Sequence, residues 1–154
     1  MADLYSTQGA LQNAALTRAD MRVPNGGTIF GDLKMAYGNY VMTAAEADDD
    51  IVHMVRLPKG ARIIPWMSMF WSDDNLSSID IGTGTNDDVF LAAKDASSTT
   101  KFLFNDSTGS LAQGIYTVGD DGNGGEWVSI VIETSANKTA GKFLAVMVAY
   151  LLPQ

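Results

Sequence analysis

The sequence contains no cysteine. Disulfides and thiolate metal sites are therefore excluded, and cysteine usage says nothing of redox compartment. There is one histidine, His53. A single imidazole without cysteine cannot build a His-rich or Cys-rich zinc centre. No G-x-S-x-G elbow presents a serine to it, so His53 reads as a packed or surface residue of a strand. Long apolar runs are missing too. The longest, Phe143 to Leu152, spans about ten residues, against the roughly 18–20 of a membrane-crossing helix. It fits a strand buried on both faces. The opening residues Met1-Ala2-Asp3-Leu4 lack the basic and apolar regions of a secretory signal. Positive charge is scarce: Lys and Arg total 10 against 18 Asp and Glu, a net charge of −8. Arg18, Arg22 and Lys34 balance Asp3, Asp20 and Asp32, so residues 1–36 are neutral and the rest carries the whole excess. An acidic body repels a polyphosphate backbone, which argues against direct nucleic-acid binding.

What is present begins near Tyr37. From there short β-branched and aromatic runs alternate with Gly-, Asp- and Ser-rich turns. The expected organisation is an N-terminal arm over residues 1–36 and a β-domain over residues 37–154. Asp50 to Leu57 alternates, with Ile51, His53, Val55 and Leu57 against Val52, Met54 and Arg56. Ala61 to Trp71 follows the Pro58-Lys59-Gly60 turn. Pro65 within it predicts an edge, a bulge or a split into two strands, because proline donates nothing to a ladder. Without a bulge, Trp66 and Phe70 share one face and Trp71 takes the other. Further strands are expected at 78–82, 89–93, 101–104, 115–118, 126–133 and 142–152. The run Gly119 to Gly125 is the strongest turn signal. About nine strands at this spacing, with no helical pattern between them, predict an all-β, antiparallel, jelly-roll-like sandwich.

The arm has apolar residues without a packing partner of their own. Leu4, Leu11, Leu16, Met21, Val23, Ile29 and Phe30 are its candidate interface anchors, with Arg18 and Arg22 pairing to acidic neighbours. Thirty-six extended residues reach at most ~120–130 Å, against a body whose radius of gyration is ~13 Å. The arm can therefore reach a neighbouring subunit or fold back on its own domain.

No catalytic set emerges. Asp48-Asp49-Asp50, Asp73-Asp74, Asp87-Asp88 and Asp120-Asp121 all fall in expected turns, where aspartate bonds the local backbone. Calcium also takes such ligands, but none of the four fits the spacing of a calcium loop. Adjacent turn aspartates diverge, so they do not form a glycosidase pair. Gly82-Thr83-Gly84 precedes no helix and makes a poor phosphate cradle. The chain is read as a non-enzyme with no cofactor and no metal site. On 126–133 the expected core set is Val128, Ile130 and Ile132. That leaves Trp127 facing the other way, as a contact for a sugar or protein partner or buried under another segment.

The stretches Leu33 to Gly38, Asp50 to Ile63 (with its RLPKGA) and Ile79 to Thr83 resemble a recurrent pattern in tailed-phage virion proteins, among them small capsid decoration, or cement, proteins. The resemblance covers residues 33–93. It implies a jelly roll or related sandwich on the exterior of an icosahedral head. It implies homotrimers that contact the major capsid protein and brace the shell against DNA pressure; the short apolar runs separately predict no membrane partner. A tail-tube, head-completion or fibre role fits the same context. The reading from another class is a carbohydrate- or receptor-binding sandwich with Trp127 on an exposed aromatic platform.

Overall fold

The computed structural model describes residues 3–5, 33–43, 45–73, 76–84, 86–97, 100–104, 115–134 and 139–152. The arm residues Leu11, Leu16, Arg18, Met21, Arg22, Val23, Ile29 and Phe30 lie outside this set.

Two sheets form a sandwich. The first contains β1 (Asp3–Tyr5), β3 (Asp50–Pro58), β6 (Leu76–Thr83), β7 (Asn86–Ala96) and β10 (Gly125–Thr134), in the order β1-β3-β10-β6-β7. The second contains β2 (Leu33–Val41), β4 (Arg62–Ile63), β5 (Met69–Ser72), β8 (Thr100–Leu103), β9 (Tyr116–Thr117) and β11 (Phe143–Leu151). Its path is β8-β5-β11-β4-β9, and β2 lies along the other side of β11. Every pairing is antiparallel except β1 with β3, which is parallel. The chain crosses repeatedly between layers, so sequence neighbours seldom pair; β6 and β7 do.

Between the sheets lies one core. Val128, Ile130 and Ile132 of β10 enter it as their alternation predicts. From the facing layer come Phe70, Leu144, Val146 and Val148. Phe90 stacks on Phe104 at 5.0 Å and meets Tyr116 edge-on at 5.5 Å. These rings supply large buried area and mutually favourable geometry.

Three local departures have clear causes. The register of β3 against β10 shifts between Val128 and Ser129, whose partners are Val55 and His53. Met54 is the extra residue. Strict alternation assigns Ile51, His53, Val55 and Leu57 to one face, but the bulge divides that set. Val55 and Leu57 point into the core, and Ile51 and His53 are only half-buried. Second, Pro65–Met67 forms a 3₁₀ turn that separates β4 from β5. This is the expected split, and it takes Trp66 out of the strand. Trp66 does not share a face with Phe70: it is exposed while Phe70 is fully buried, and Trp71 projects outward. Third, β2 begins at Leu33, inside the stretch assigned to the arm, and pairs with β11 from Leu33↔Leu151 to Val41↔Phe143. Likewise Asp3–Tyr5 pairs with Ile51–His53 of its own chain. The leading segment is thus tied to its own body at both ends.

Candidate interaction face

The outer surfaces of the two sheets differ in chemistry. On the first, β10 presents Trp127, Ser129, Val131 and Glu133 on the side away from the core. Trp127 does face opposite to Val128, Ile130 and Ile132, but it is buried, at 8% exposure. His53 lies 5.4 Å from its ring, and the Arg56 guanidinium sits 5.6 Å from the ring centre. An aromatic platform built on Trp127 is therefore closed to ligands. His53 Nδ1 is 2.9 Å from Ser129 Oγ. Arg56 donates to both carboxylate oxygens of Asp121, at 2.7 and 2.6 Å, and to the Gly125 carbonyl at 3.2 Å. This fork holds the 119–125 turn against β3.

Within that turn Asp120 Oδ1 accepts from the Gly122 and Gly124 N–H groups, each at 2.9 Å. Asp121 Oδ1 accepts from Asn123 N at 3.0 Å, and Lys59 reaches Asp120 at 3.3 Å. Gly122 (φ +96°) and Gly124 (φ +80°) supply the left-handed backbone it requires. The aspartates here do turn work. Among the described residues no group of three or more His, Cys, Asp or Glu converges on a metal position.

Farther along the same face, Asp80 is buried and accepts from Ala93 N at 2.6 Å. Burial raises its pKa to about 6; the hydrogen bond that protonated Asp80 donates to the Glu133 carboxylate, and that group's negative charge, add to the rise. Ser78 Oγ donates to Glu133 at 3.0 Å. A second special carboxylate, Glu46, follows β2. It receives the Tyr40 hydroxyl at 2.7 Å, Thr43 N at 2.7 Å and Thr43 Oγ1 at 2.8 Å. Burial pushes its pKa up, but these donors outweigh it and hold the pKa at about 2. Burial and Glu46 together push the Tyr40 hydroxyl upward. Both carboxylates act as structural acceptors.

The second sheet has a different outer surface. The register aligns Met35, Tyr37 and Val41 of β2 with Ala149, Met147 and Phe143 of β11. On the other flank Met147 and Ala145 face Met69 and Trp71 of β5, which in turn face Leu103 and Lys101 of β8. Ala145 and Ala149 are short and form a floor. Phe143 and Met147 stand above it, half-buried. A shallow depression of about 210 Å³ opens there, lined by Tyr37, Met69, Trp71, Ala145, Val146 and Met147. Trp71 meets Phe143 edge-on at 5.0 Å, and Lys101 Nζ lies 5.1 Å over the Trp71 ring. Met35 and Tyr37 are each 57% exposed. Among the described residues, the exposed large hydrophobics are Met35, Tyr37, Val41, Trp66, Met67, Trp71, Leu103 and Ile115. All of them lie on this sheet or on segments flanking its short strands. An exposed apolar surface of this kind is a candidate interaction site.

Charge divides in the same way. The first sheet's strands carry Asp3, Asp50, Asp80, Asp87, Asp88, Asp95, Glu126 and Glu133 against Arg56 and Lys94. The second sheet's strands carry Lys34, Arg62 and Lys101 and no carboxylate.

Sequence reasoning missed this face. It assigned 33–36 to the arm, which hid the outward row of β2. It also took Phe143 to Leu152 as buried on both sides, whereas Phe143, Met147 and Leu151 are only half-buried. The available signal was that β11 is apolar at both phases of its alternation and that one phase of β2 carries Leu33, Met35, Tyr37 and Val41. No helix among the described residues is long and apolar enough to cross a membrane.

No protein-family model and no curated protein matches this chain. Its fold is similar to a chain in the capsid of Ralstonia phage GP4, with 19% identity, a TM-score of 0.65 and 99% of each chain covered. It is similar to a chain in the capsid asymmetric unit of cyanophage Pam1, with 22% identity and a TM-score of 0.58 over 88% of this chain and 96% of that one. A chain in the acid-stable capsid structure of Helicobacter pylori bacteriophage KHP30 matches with 16% identity and a TM-score of 0.53, over 82% of this chain and 92% of that one. At these identities the likeness is one of fold.

Proposed function

We propose that this chain is a non-enzymatic structural protein of a tailed-phage virion, and specifically a decoration protein on the capsid exterior. The observation that supports this reading is the one-sided apolar outer surface of the second sheet, on a fold similar over 82% to 99% of this chain to chains of three phage capsid structures. An uncovered apolar sheet face costs solubility and aggregation risk unless a partner covers it. Its work is then burial of interface, and a standard interface takes about 800 Å² from each partner. The major capsid protein is the partner in this reading. Homotrimer contacts through the leading segment remain part of the proposal, although Asp3–Tyr5 pairs within its own chain.

The test is reconstitution. Shells assembled from the phage's own head proteins without this chain are mixed with the purified protein and sedimented. The expected result is saturable co-sedimentation and a higher temperature of shell disruption. Failure of the wild-type chain to bind such shells overturns the assignment.

A further inference from the structure

We infer that the second sheet's outer face is the shell-facing surface, and that it docks on a different protein whose surface has an apolar centre flanked by carboxylates. This rests on the decoration reading and adds the face and the partner's chemistry. Two observations carry it. The apolar floor is flanked by cations on the same side of the sheet. Arg62, exposed, pairs in register with Leu151 at one end, and Lys101 stands beside Trp71 on the far flank. Asp73, the carboxylate that follows β5, is committed to its own chain: its Oδ1 accepts from Phe143 N at 2.6 Å, and its Oδ2 pairs with Lys142 at 3.7 Å. A partner must therefore bring the negative charge.

A second copy of this chain fits poorly. Packing this face on itself sets Arg62 and Lys101 against like charges, and the sheet's own strands hold no carboxylate to receive them. A head-to-tail contact presses it against the acidic first sheet, whose outer side shows no exposed large hydrophobic among the described residues. Apolar contact and charge pairing are met together only by a surface unlike either side of this sandwich.

The experiment uses full-length protein and shells lacking it. Arg62→Glu/Lys101→Glu reverses both exposed cations, and Tyr37→Asp places charge on the floor's most exposed rim. Circular dichroism melts establish that each variant is folded. The expected outcome is at least tenfold weaker shell binding for each variant. The wild type should also lose affinity as salt rises from 50 to 500 mM, roughly in line with screening of the flanking pairs. If both folded variants bind like wild type, this inference falls and the decoration assignment stands. If wild type itself fails to bind, both fall. If light scattering shows a wild-type oligomer that Tyr37→Asp reduces to monomers, the face belongs to a second copy and the inference is overturned.

Discussion

The outer surfaces of the two sheets share an architecture and little else. On the first, polar and charged groups are closed on one another: Arg56 with Asp121, His53 with Ser129, Asp80 with Ala93 N–H and Glu133. Trp127 is sealed among them. On the second, methionine, tyrosine and tryptophan stand in solvent with nothing among the described residues laid over them. A surface whose polar groups already have partners offers little to a new one. A surface whose apolar groups have none gains by being covered, at roughly 25 cal/mol for each Å² removed from water. The comparison separates what holds this chain together from what it offers to others.

The sharpest way to break that comparison lies on β11, where Val146 faces the core and Met147 the outside. Val146→Asp should cost at least ~4 kcal/mol and leave the chain unfolded, because the new carboxylate has no partner in the core. Met147→Asp should cost about 1 kcal/mol or less in urea denaturation. Equal losses would mean the outer face is not an open surface.

The next effect belongs to the first sheet. Arg56→Ala removes the fork to Asp121 and the cation over Trp127, and should cost about 1–2 kcal/mol by the same measurement. It should also increase iodide quenching of Trp127 in a variant whose other tryptophans are phenylalanine.

A smaller effect comes from pH, with opposite signs in the two regions. Asp80 holds its proton to about 6 when folded and has an ordinary value of 3.8. Between those values the folded state binds more protons, so stability falls as pH rises from about 4 to 6 and stays lower above that. Asp80→Asn should flatten this limb. Glu46 has an ordinary value of 4.5 and a folded value of about 2. Its contribution is complete above about 4.5 and lost as pH falls toward 2. Glu46→Gln should remove that acid limb. Melting temperatures from pH 2 to 8 check both, and unchanged limbs in the variants would count against these assignments.

The smallest expected change is Tyr37→Ser, within about 0.5 kcal/mol of wild type in stability. It combines a near-silent unfolding curve with weakened shell binding, which a residue of the fold's own scaffold would not show.

Much of the fold was legible. The alternation of Val128, Ile130 and Ile132 and the turn chemistry of Asp120 to Gly125 are local signals, and both appear as expected. Pro65 announced its break for the same reason. The bulge at Met54 was not legible, because a register shift is a property of two strands rather than one. The candidate face was harder still. Whether Trp127 or Trp71 meets solvent depends on what packs over each strand, and periodicity says only that each points away from the core.

By itself the sequence determined the class: an all-β body without thiols and without a long apolar span. Side-chain period, turn residues and composition act within a few residues of one another, so one chain read in order is enough for them. Only the tertiary structure decided that the acidic strands gather in one layer and the apolar and basic ones in the other. That sorting follows from hydrogen-bond pairing between strands far apart in sequence, such as β2 with β11, and no local pattern encodes it.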